Sequence, residues 1–388
     1  MQYRTLGKSD CEVSVLGFGC MRLPMLGSTR AVDRFDPNKA IDEEEATRMI
    51  HYAIDHGINY FDTAYVYHGG KSETLLGKAL KAHRDGVMIA TKLPTWLAQT
   101  PDDFDRFLDE QLKKLETEYI DLYLLHGLNR AVWQKMMEMD VLGFLDKILS
   151  DGRVRYAGFS FHDDVKIFKE IIDSYQWTFC QIQYNYFDEN YQAGREGIEY
   201  AAAKGIGVVV MEPLRGGKLT DKMPEEIQAL WDSAETRRTP AEWALRWVWD
   251  HEEVSIALSG MSTMSQLMEN IKIAEDAYTG SLSEKELKLI GKVRASYRRM
   301  LKIDCTGCAY CMPCPSGVNI PLNLSLYNDM FMFKDSEVNV LLYNHMLSPE
   351  QRASNCSECG ECEDQCPQHI EIREELKNVH KRLGQTGG

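Results

Sequence analysis

The sequence offers no run of 18 consecutive apolar residues, so no transmembrane helix is expected. Its opening, MQYRTLGKSD, lacks the apolar core of a secretory signal, which points to a cytoplasmic protein. Basic residues are short: 44 Lys and Arg face 59 Asp and Glu, a net charge of −15 at neutral pH. Such a surface repels a phosphate backbone, so nucleic acid is not an expected partner, and without a spanning run neither is a membrane. No solenoid repeat is evident. With 388 residues, 44% of them hydrophobic and 27% charged, the chain has the balance of a soluble globular protein of two or more domains. That balance excludes wholesale disorder and collagen-like or fibrous structure.

Cysteine is nearly missing from the first 300 residues, where Cys11, Cys20 and Cys180 stand alone; the other eight of 11 lie between Cys305 and Cys366. In a reducing compartment such crowding argues for metal or redox chemistry rather than disulfides. The shift in composition falls near residues 290–303, after the basic helical run LIGKVRASYRRMLKI. We therefore expect a domain over residues 1–295 and a second over 296–388.

In the first domain, eight apolar strand candidates alternate with amphipathic helix patterns: VLGFGC, NYFDTA, VMIATKL, IDLYLLH, RYAGFSF, FCQIQYN, GVVVMEP and VSIALSG. Near-continuous apolar runs suit parallel strands covered on both faces, while the intervening segments repeat apolar residues at i, i+3 and i+4. Eight β-then-α units over roughly 250–280 residues have the size and grammar of a (β/α)8 TIM barrel; an open doubly wound sheet is the alternative. The leading segment YRTLGKSDCEVS reads as a hairpin able to plug the barrel floor. The polar stretch LPMLGSTRAVDRFDPNKAID belongs over the opposite mouth.

In such barrels the chemistry sits at the C-terminal ends of the strands. Those ends carry Asp62, Lys92 and His126, and Tyr67 follows five residues after Asp62. Tyr65 is a competing phenol, disfavoured by its spacing. A free phenol titrates near about 10 and needs a neighbouring cation to exchange its proton readily at neutral pH; a buried lysine in turn needs a carboxylate.

The segments FDTAYVY, ATK, LLH, GFSF, QIQYN and MEPLRGGKL, in this order, resemble those of the aldo-keto reductases over roughly residues 3–275. The resemblance implies that Tyr67 is the general acid, that Lys92 lowers its pKa, that Asp62 pairs with Lys92, and that His126 orients a carbonyl or alcohol substrate. It implies NADP or NAD as cofactor. Ser160 and Gln181 match the positions holding the nicotinamide carboxamide, and Met211 stands where many members place an aromatic ring. Pro213, Leu214, Gly217 and Leu219 match the loop beside the pyrophosphate, and Gly19, Cys20 and Met21 the end of the first strand. Aligning Glu269 and Asn270 with the family's Glu-Asn pair puts Gly260 and Gln266 where cations often grip a 2′-phosphate. No Lys or Arg lies between Ser255 and Asn270, so a modest preference between NADPH and NADH is expected.

The cysteines of the second domain form Cys305-x2-Cys308-x2-Cys311-x2-Cys314-Pro315 and Cys356-x2-Cys359-x2-Cys362-x3-Cys366-Pro367. The second run matches the bacterial ferredoxin pattern, whose fourth cysteine serves the other cluster. Two [4Fe–4S] clusters are thus expected, one on Cys305, Cys308, Cys311 and Cys366, the other on Cys356, Cys359, Cys362 and Cys314. The first run is one residue shorter before its Cys-Pro, which tightens the turn at Cys314. Zinc, which commonly takes separated C-x2-4-C pairs, fits two triplets less well. SLYNDMFMF and VNVLLYNHML between the groups read as helices, so the domain resembles the α-helical dicluster ferredoxins. Barrel and tail together resemble the iron–sulfur branch of the aldo-keto reductases.

Three functions stand open on these residues. One is hydride transfer between NAD(P)H and a carbonyl or alcohol. A second is a flavin enzyme, holding FMN in the barrel and wired through its clusters to a ferredoxin or other redox protein, since hydride carries two electrons and a cubane accepts one. The third is a non-catalytic binding subunit, which the presence of all four strand-end residues disfavours.

Overall fold

The computed structural model describes residues 1–27, 39–221, 223–305, 307, 310–333 and 336–384. The chain begins with an antiparallel hairpin, β1 (Tyr3–Thr5) and β2 (Glu12–Ser14), in the register Arg4↔Val13. Its turn needs Gly7 at φ +60°, where a Cβ would come within 2.4 Å of the Gly205 carbonyl oxygen. Leu6, Cys11 and Val13 of this hairpin pack with Tyr60, Leu122, Phe179, Val209 and Ile256, closing one end of the barrel as expected. The Arg4 guanidinium fastens the hairpin by donating to the carbonyls of Trp249 and Val254 at 2.7 and 2.6 Å.

The eight apolar runs become parallel strands of a closed barrel, not an open sheet. They are β3 (Leu16–Gly19), β4 (Tyr60–Asp62), β5 (Met88–Leu93), β6 (Ile120–Leu128), β7 (Val154–Phe161), β8 (Phe179–Gln183), β9 (Gly207–Met211) and β10 (Val254–Ser259). The order around the barrel is β10-β3-β4-β5-β6-β7-β8-β9. The covering helices are α1 (Glu43–Asp55), α2 (Ser72–Leu80), α3 (Asp102–Lys114), α4 (Arg130–Glu138), α5 (Val141–Ser150), α6 (Val165–Ser174) and α7 (Gly194–Ala203). After α8 (Glu225–Asp232) come α9 (Pro240–Trp249) and α10 (Met264–Ala274).

Helix α6 shows why these segments are helical. Asp164 accepts from the Lys166 and Ile167 amides, satisfying donors that a first turn leaves open. Ile167, Phe168, Ile171 and Ile172 then share one buried stripe, each contributing on the order of 1.5–3 kcal/mol by burial. Helices α4, α5 and α8 escape the sequence pattern, since α4 and α5 are short and separated by Asp140 at φ +55°. The polar stretch after the first strand lies largely outside the described residues; its ends meet through a Met25–Ile41 bridge.

Two compact units emerge from the packing, the second comprising Gly217–Pro240 and the chain from Glu284 onward. Within that second unit, α11 (Glu284–Arg299) packs near α8, where Glu226 accepts from Arg299 at 2.8 Å. α12 (Ile320–Met332), α13 (Ser336–His345), the short α14 (Glu361–Asp364) and α15 (Ile372–Leu383) surround a small core of Ile320, Leu324, Tyr343, Leu376, Val379 and Leu383. The two sequence-read helices between the cysteine groups correspond to α12 and α13. Buried asparagines stitch its irregular chain: Asn328 binds the Lys302 and Ile303 amides, and Asn323 the Ala353 amide and the Gln351 carbonyl. Among the described residues no helix is long and apolar enough to cross a membrane.

Candidate active site

Strand register brings the sequence-predicted residues to one end of the barrel. Gly19 pairs with Asp62, Asp62 with Ala90, and Lys92 with Leu124, so β3 to β6 deliver their polar ends at one level. Lys92 Nζ reaches Asp62 Oδ1 at 2.6 Å and the Thr63 carbonyl at 2.7 Å, and the two side chains are only 1% and 2% exposed. It also donates to the Tyr67 hydroxyl at 3.5 Å. The ring of His126 stands edge-on to Tyr67, centroids 6.0 Å apart, with Trp96 at 4.9 Å on another side. Here β6 bulges between Leu125 and Leu128 around Gly127 at φ +65°, and His126 falls within that irregularity. Tyr65 is engaged elsewhere, donating to Glu110 at 2.6 Å with Lys114 over its ring.

Burial governs the electrostatics. It is the largest influence on Tyr67 and pushes the phenol above its ordinary value; the Lys92 charge opposes it, while Asp62 and Glu212 add to it. Lys92 lowers the value, but desolvation outweighs the ammonium and the net direction is upward. Tyr67 is therefore protonated at neutral pH. Burial pulls Lys92 down, but Asp62 and Tyr67 more than compensate and hold it above its ordinary value. Burial pushes Asp62 up against the charge and hydrogen bond of Lys92 and the Gln181 amide. His126 is held well below its ordinary value by burial and then by Lys92 and His162, so its imidazole is neutral. Its Nδ1 is buried with no hydrogen-bond partner among the described residues. A proton donor, a buried cation and a neutral imidazole ring thus stand together at one end of the barrel, an arrangement able to bind and protonate a developing alkoxide.

The residues matched to a nicotinamide site are distributed as follows. Gln181 donates to Asp62 Oδ2 at 3.2 Å, and the Ser160 hydroxyl accepts from the Gly127 amide at 2.8 Å; both side chains are buried at the same strand ends. Cys20 is buried and Met21 is 46% exposed. Met211 ends β9, followed by Glu212 at φ +56°, Pro213 and Leu214. Gly216 at φ +68° closes that turn. Gly217 and Leu219 belong to the second unit. At the start of α10, the Gln266 amide donates to Thr263 Oγ1 and its side chain accepts from the Ser262 amide, an N-terminal cap. Asn270 donates to Ser259 at 3.1 Å, and Glu269 is half-buried beside it. Gly260 has room for a Cβ only 3.3 Å from the Arg22 stem. The buried Ser160 and Gln181 side chains at the strand ends and the positive-φ turn at Gly216 suit a dinucleotide.

Sequence reading missed several groups here. Glu73 is fully buried, accepting from Thr91 and Gln111 at 2.7 Å each, and Gln111 also binds the Lys92 carbonyl at 3.1 Å. This network fixes the backbone that carries Lys92. An acid inside the apolar stripe of α2 was the available signal. His162, two residues after Ser160, and Glu212 and Arg22, one or three residues beyond strand ends, were also overlooked.

In the second unit, Cys305, Cys311, Cys314, Cys356, Cys362 and Cys366 are half-buried against the apolar core, and Cys359 is exposed. Cys308 lies outside the described residues. Burial, then Glu363, Cys356 and Cys359, push the Cys362 thiol up to about 11, so these three sulfurs sense one another. The Glu358 amide donates to Cys356 Sγ at 3.4 Å. Among the described residues, no three His, Cys, Asp or Glu side chains are gathered tightly enough to hold a single metal ion. Soft thiols grouped on an apolar core nevertheless suit iron–sulfur ligation.

The chain belongs to the aldo/keto reductase family, whose pattern matches residues 16–294. Its tail matches the 4Fe-4S dicluster domain over residues 304–371. A probable aldo-keto reductase 1 of Glycine max is 31% identical over 74% of this chain and 86% of its own length. L-galactose dehydrogenase of Arabidopsis thaliana is 27% identical over 70% and 87%. The solved holo structure of aldo-keto reductase AKR11C1 from Bacillus halodurans aligns with a TM-score of 0.62 at 29% identity, covering 76% of this chain and 96% of that one. This protein is an oxidoreductase-family barrel carrying a dicluster domain.

Proposed function

We propose that the barrel, residues 1–295, transfers hydride between NAD(P)H and a carbonyl or alcohol, and that residues 296–388 bind two [4Fe–4S] clusters. The single observation carrying the reading is the Asp62–Lys92–Tyr67 chain, whose phenol ring stands edge-on to that of His126. When bound, the dinucleotide supplies the hydride. Tyr67 gives its phenolic proton to the carbonyl oxygen, and Lys92 stabilises the phenolate left behind. Asp62 holds Lys92 charged, and neutral His126 orients the oxygen. In the alcohol direction each step reverses. Trp96, 43% exposed beside His126, favours an apolar or aromatic group next to the reacting carbon. Ser160, Gln181, Met211, Pro213 and Leu214 would hold the cofactor, with Gly19, Cys20, Met21, Gly260, Gln266, Glu269 and Asn270 around it. The clusters would exchange electrons with a ferredoxin or similar partner in the cytoplasm, or hold the tail together.

Nicotinamide-4-deuterated NADPH incubated anaerobically with 4-nitrobenzaldehyde and other aromatic aldehydes tests this reading. One deuterium on the carbinol carbon is expected. Bound flavin in the purified protein, with no label transfer from NADH or NADPH, would overturn hydride transfer to the carbonyl.

A further inference from the structure

Arg22 sits three residues beyond the end of β3 and belongs to none of the roles above. Its backbone is pinned on two sides. Ser262 Oγ donates to the Arg22 carbonyl at 2.8 Å, and the Leu23 amide next to it donates to His68 Nε2 at 3.2 Å. The aliphatic stem crosses Gly260, where a Cβ would meet Arg22 Cβ at 3.3 Å and Cδ at 3.4 Å. The guanidinium ends over Gly216, whose Cβ position is 3.0 Å from Nη2. One arginine therefore spans the turn after β9 and the turn after β10, and both turns present glycine where it passes.

Its charge currently meets Glu212, with Nη2 to Oε1 at 2.9 Å. The two side chains differ in accessibility, 13% for Arg22 and 32% for Glu212. The arginine is fixed in the fold, and the glutamate reaches it from the more exposed side. Glu212 is held at φ +56° and Arg215 at +49°, an unusual pair of left-handed residues flanking the turn to Gly216. A planar fork held over a glycine turn is a geometry suited to a phosphate, which it grips with two parallel N–H donors. The turn after β10 supplies no cation of its own, since no Lys or Arg lies between Ser255 and Asn270.

We infer that Arg22 is a binding residue for the diphosphate bridge of the dinucleotide, and that Glu212 is its placeholder, displaced when the anion arrives. The inference rests on the nicotinamide reading above. It assigns the charge to the bridge common to NADH and NADPH, because the guanidinium lies over Gly216. The 2′-phosphate, which only NADPH carries, is left without an arginine here.

The test is direct binding of NADH and NADPH to the full-length, anaerobically purified protein, followed by quenching of protein fluorescence. Arg22→Ala should weaken both dinucleotides by a similar factor, roughly ten- to a hundredfold. Arg22→Lys should recover only part of that loss, since an ammonium lacks the fork. Glu212→Gln should tighten both, because the competing carboxylate charge is gone, and this arm stands even where Arg22→Ala fails to fold. Unchanged binding in folded Arg22→Ala, a loss confined to NADPH, or weaker binding in Glu212→Gln would each overturn the inference. A wild-type protein that binds neither dinucleotide would instead overturn the nicotinamide reading itself.

Discussion

Replacing Lys92 with Met removes one half of an ion pair whose members are 1% and 2% exposed. Asp62 is then left buried without its cation, with Gln181 as its remaining side-chain donor among the described residues, at 3.2 Å. Breaking a buried pair from one side costs about 3–5 kcal/mol, because the surviving charge is left without compensation. For a domain of this size each kcal/mol moves the melting temperature by roughly 2–4 °C, so a fall on the order of 10 °C is expected. Adding Asp62→Asn removes the stranded charge while keeping its shape, and should restore most of the loss. The double variant should remain inactive, since Tyr67 still lacks its cation. Thermal melts of the four proteins, followed by tryptophan fluorescence, give the coupling between the two sites. A Lys92→Met protein that melts with the wild type, or a double variant no more stable than the single, would refute the claim that a charged pair is buried here.

Acid should weaken the fold before the carboxylates titrate. His68, His126, His162 and His251 are all held below their ordinary value chiefly by burial. Below pH of about 6.5 the unfolded chain binds protons that the folded one refuses. Stability is therefore full above that pH and declines as pH falls, by at most about 1.4 kcal/mol per pH unit for each histidine. His126→Gln should flatten the melting temperature between pH 7.5 and 5.5; an unchanged slope would show that the ring is charged or already wet. In the tail, Cys366→Ser should disturb the cluster on Cys305, Cys308 and Cys311, as read by iron content and electron paramagnetic resonance after reduction. About eight irons per wild-type chain are expected from two cubanes, and damage confined to the Cys356 cluster would show that the ligands do not cross.

The barrel was legible because its strands are uninterrupted apolar runs and their polar ends fall at predictable places. Asp62, Lys92 and His126 could be found by where an apolar run stops. Tyr67 was preferred over Tyr65 by spacing, and in the structure Tyr65 donates to Glu110. What escaped depends on three-dimensional closure. Glu73 joins the site only because α2, α3 and β5 enclose it with Gln111 and Thr91. Arg22 and Glu212 are 190 residues apart and meet only when the barrel closes. The direction of the Tyr67 shift was also hidden, since it is a balance between burial and one cation, and sequence gives no measure of burial at a loop residue. In the tail, the cysteine spacing pointed to an iron–sulfur domain, and residues 304–371 match the 4Fe-4S dicluster domain.

The central claim is that Tyr67 delivers the proton to a carbonyl oxygen. Single-turnover reduction of 4-nitrobenzaldehyde by dinucleotide-loaded wild-type and Tyr67→Phe proteins, with dinucleotide affinity measured on the same preparations, addresses it most directly. The account predicts a rate lower by on the order of 10²–10⁴ in the variant, with dinucleotide affinity unchanged. Wild-type turnover by Tyr67→Phe would contradict it.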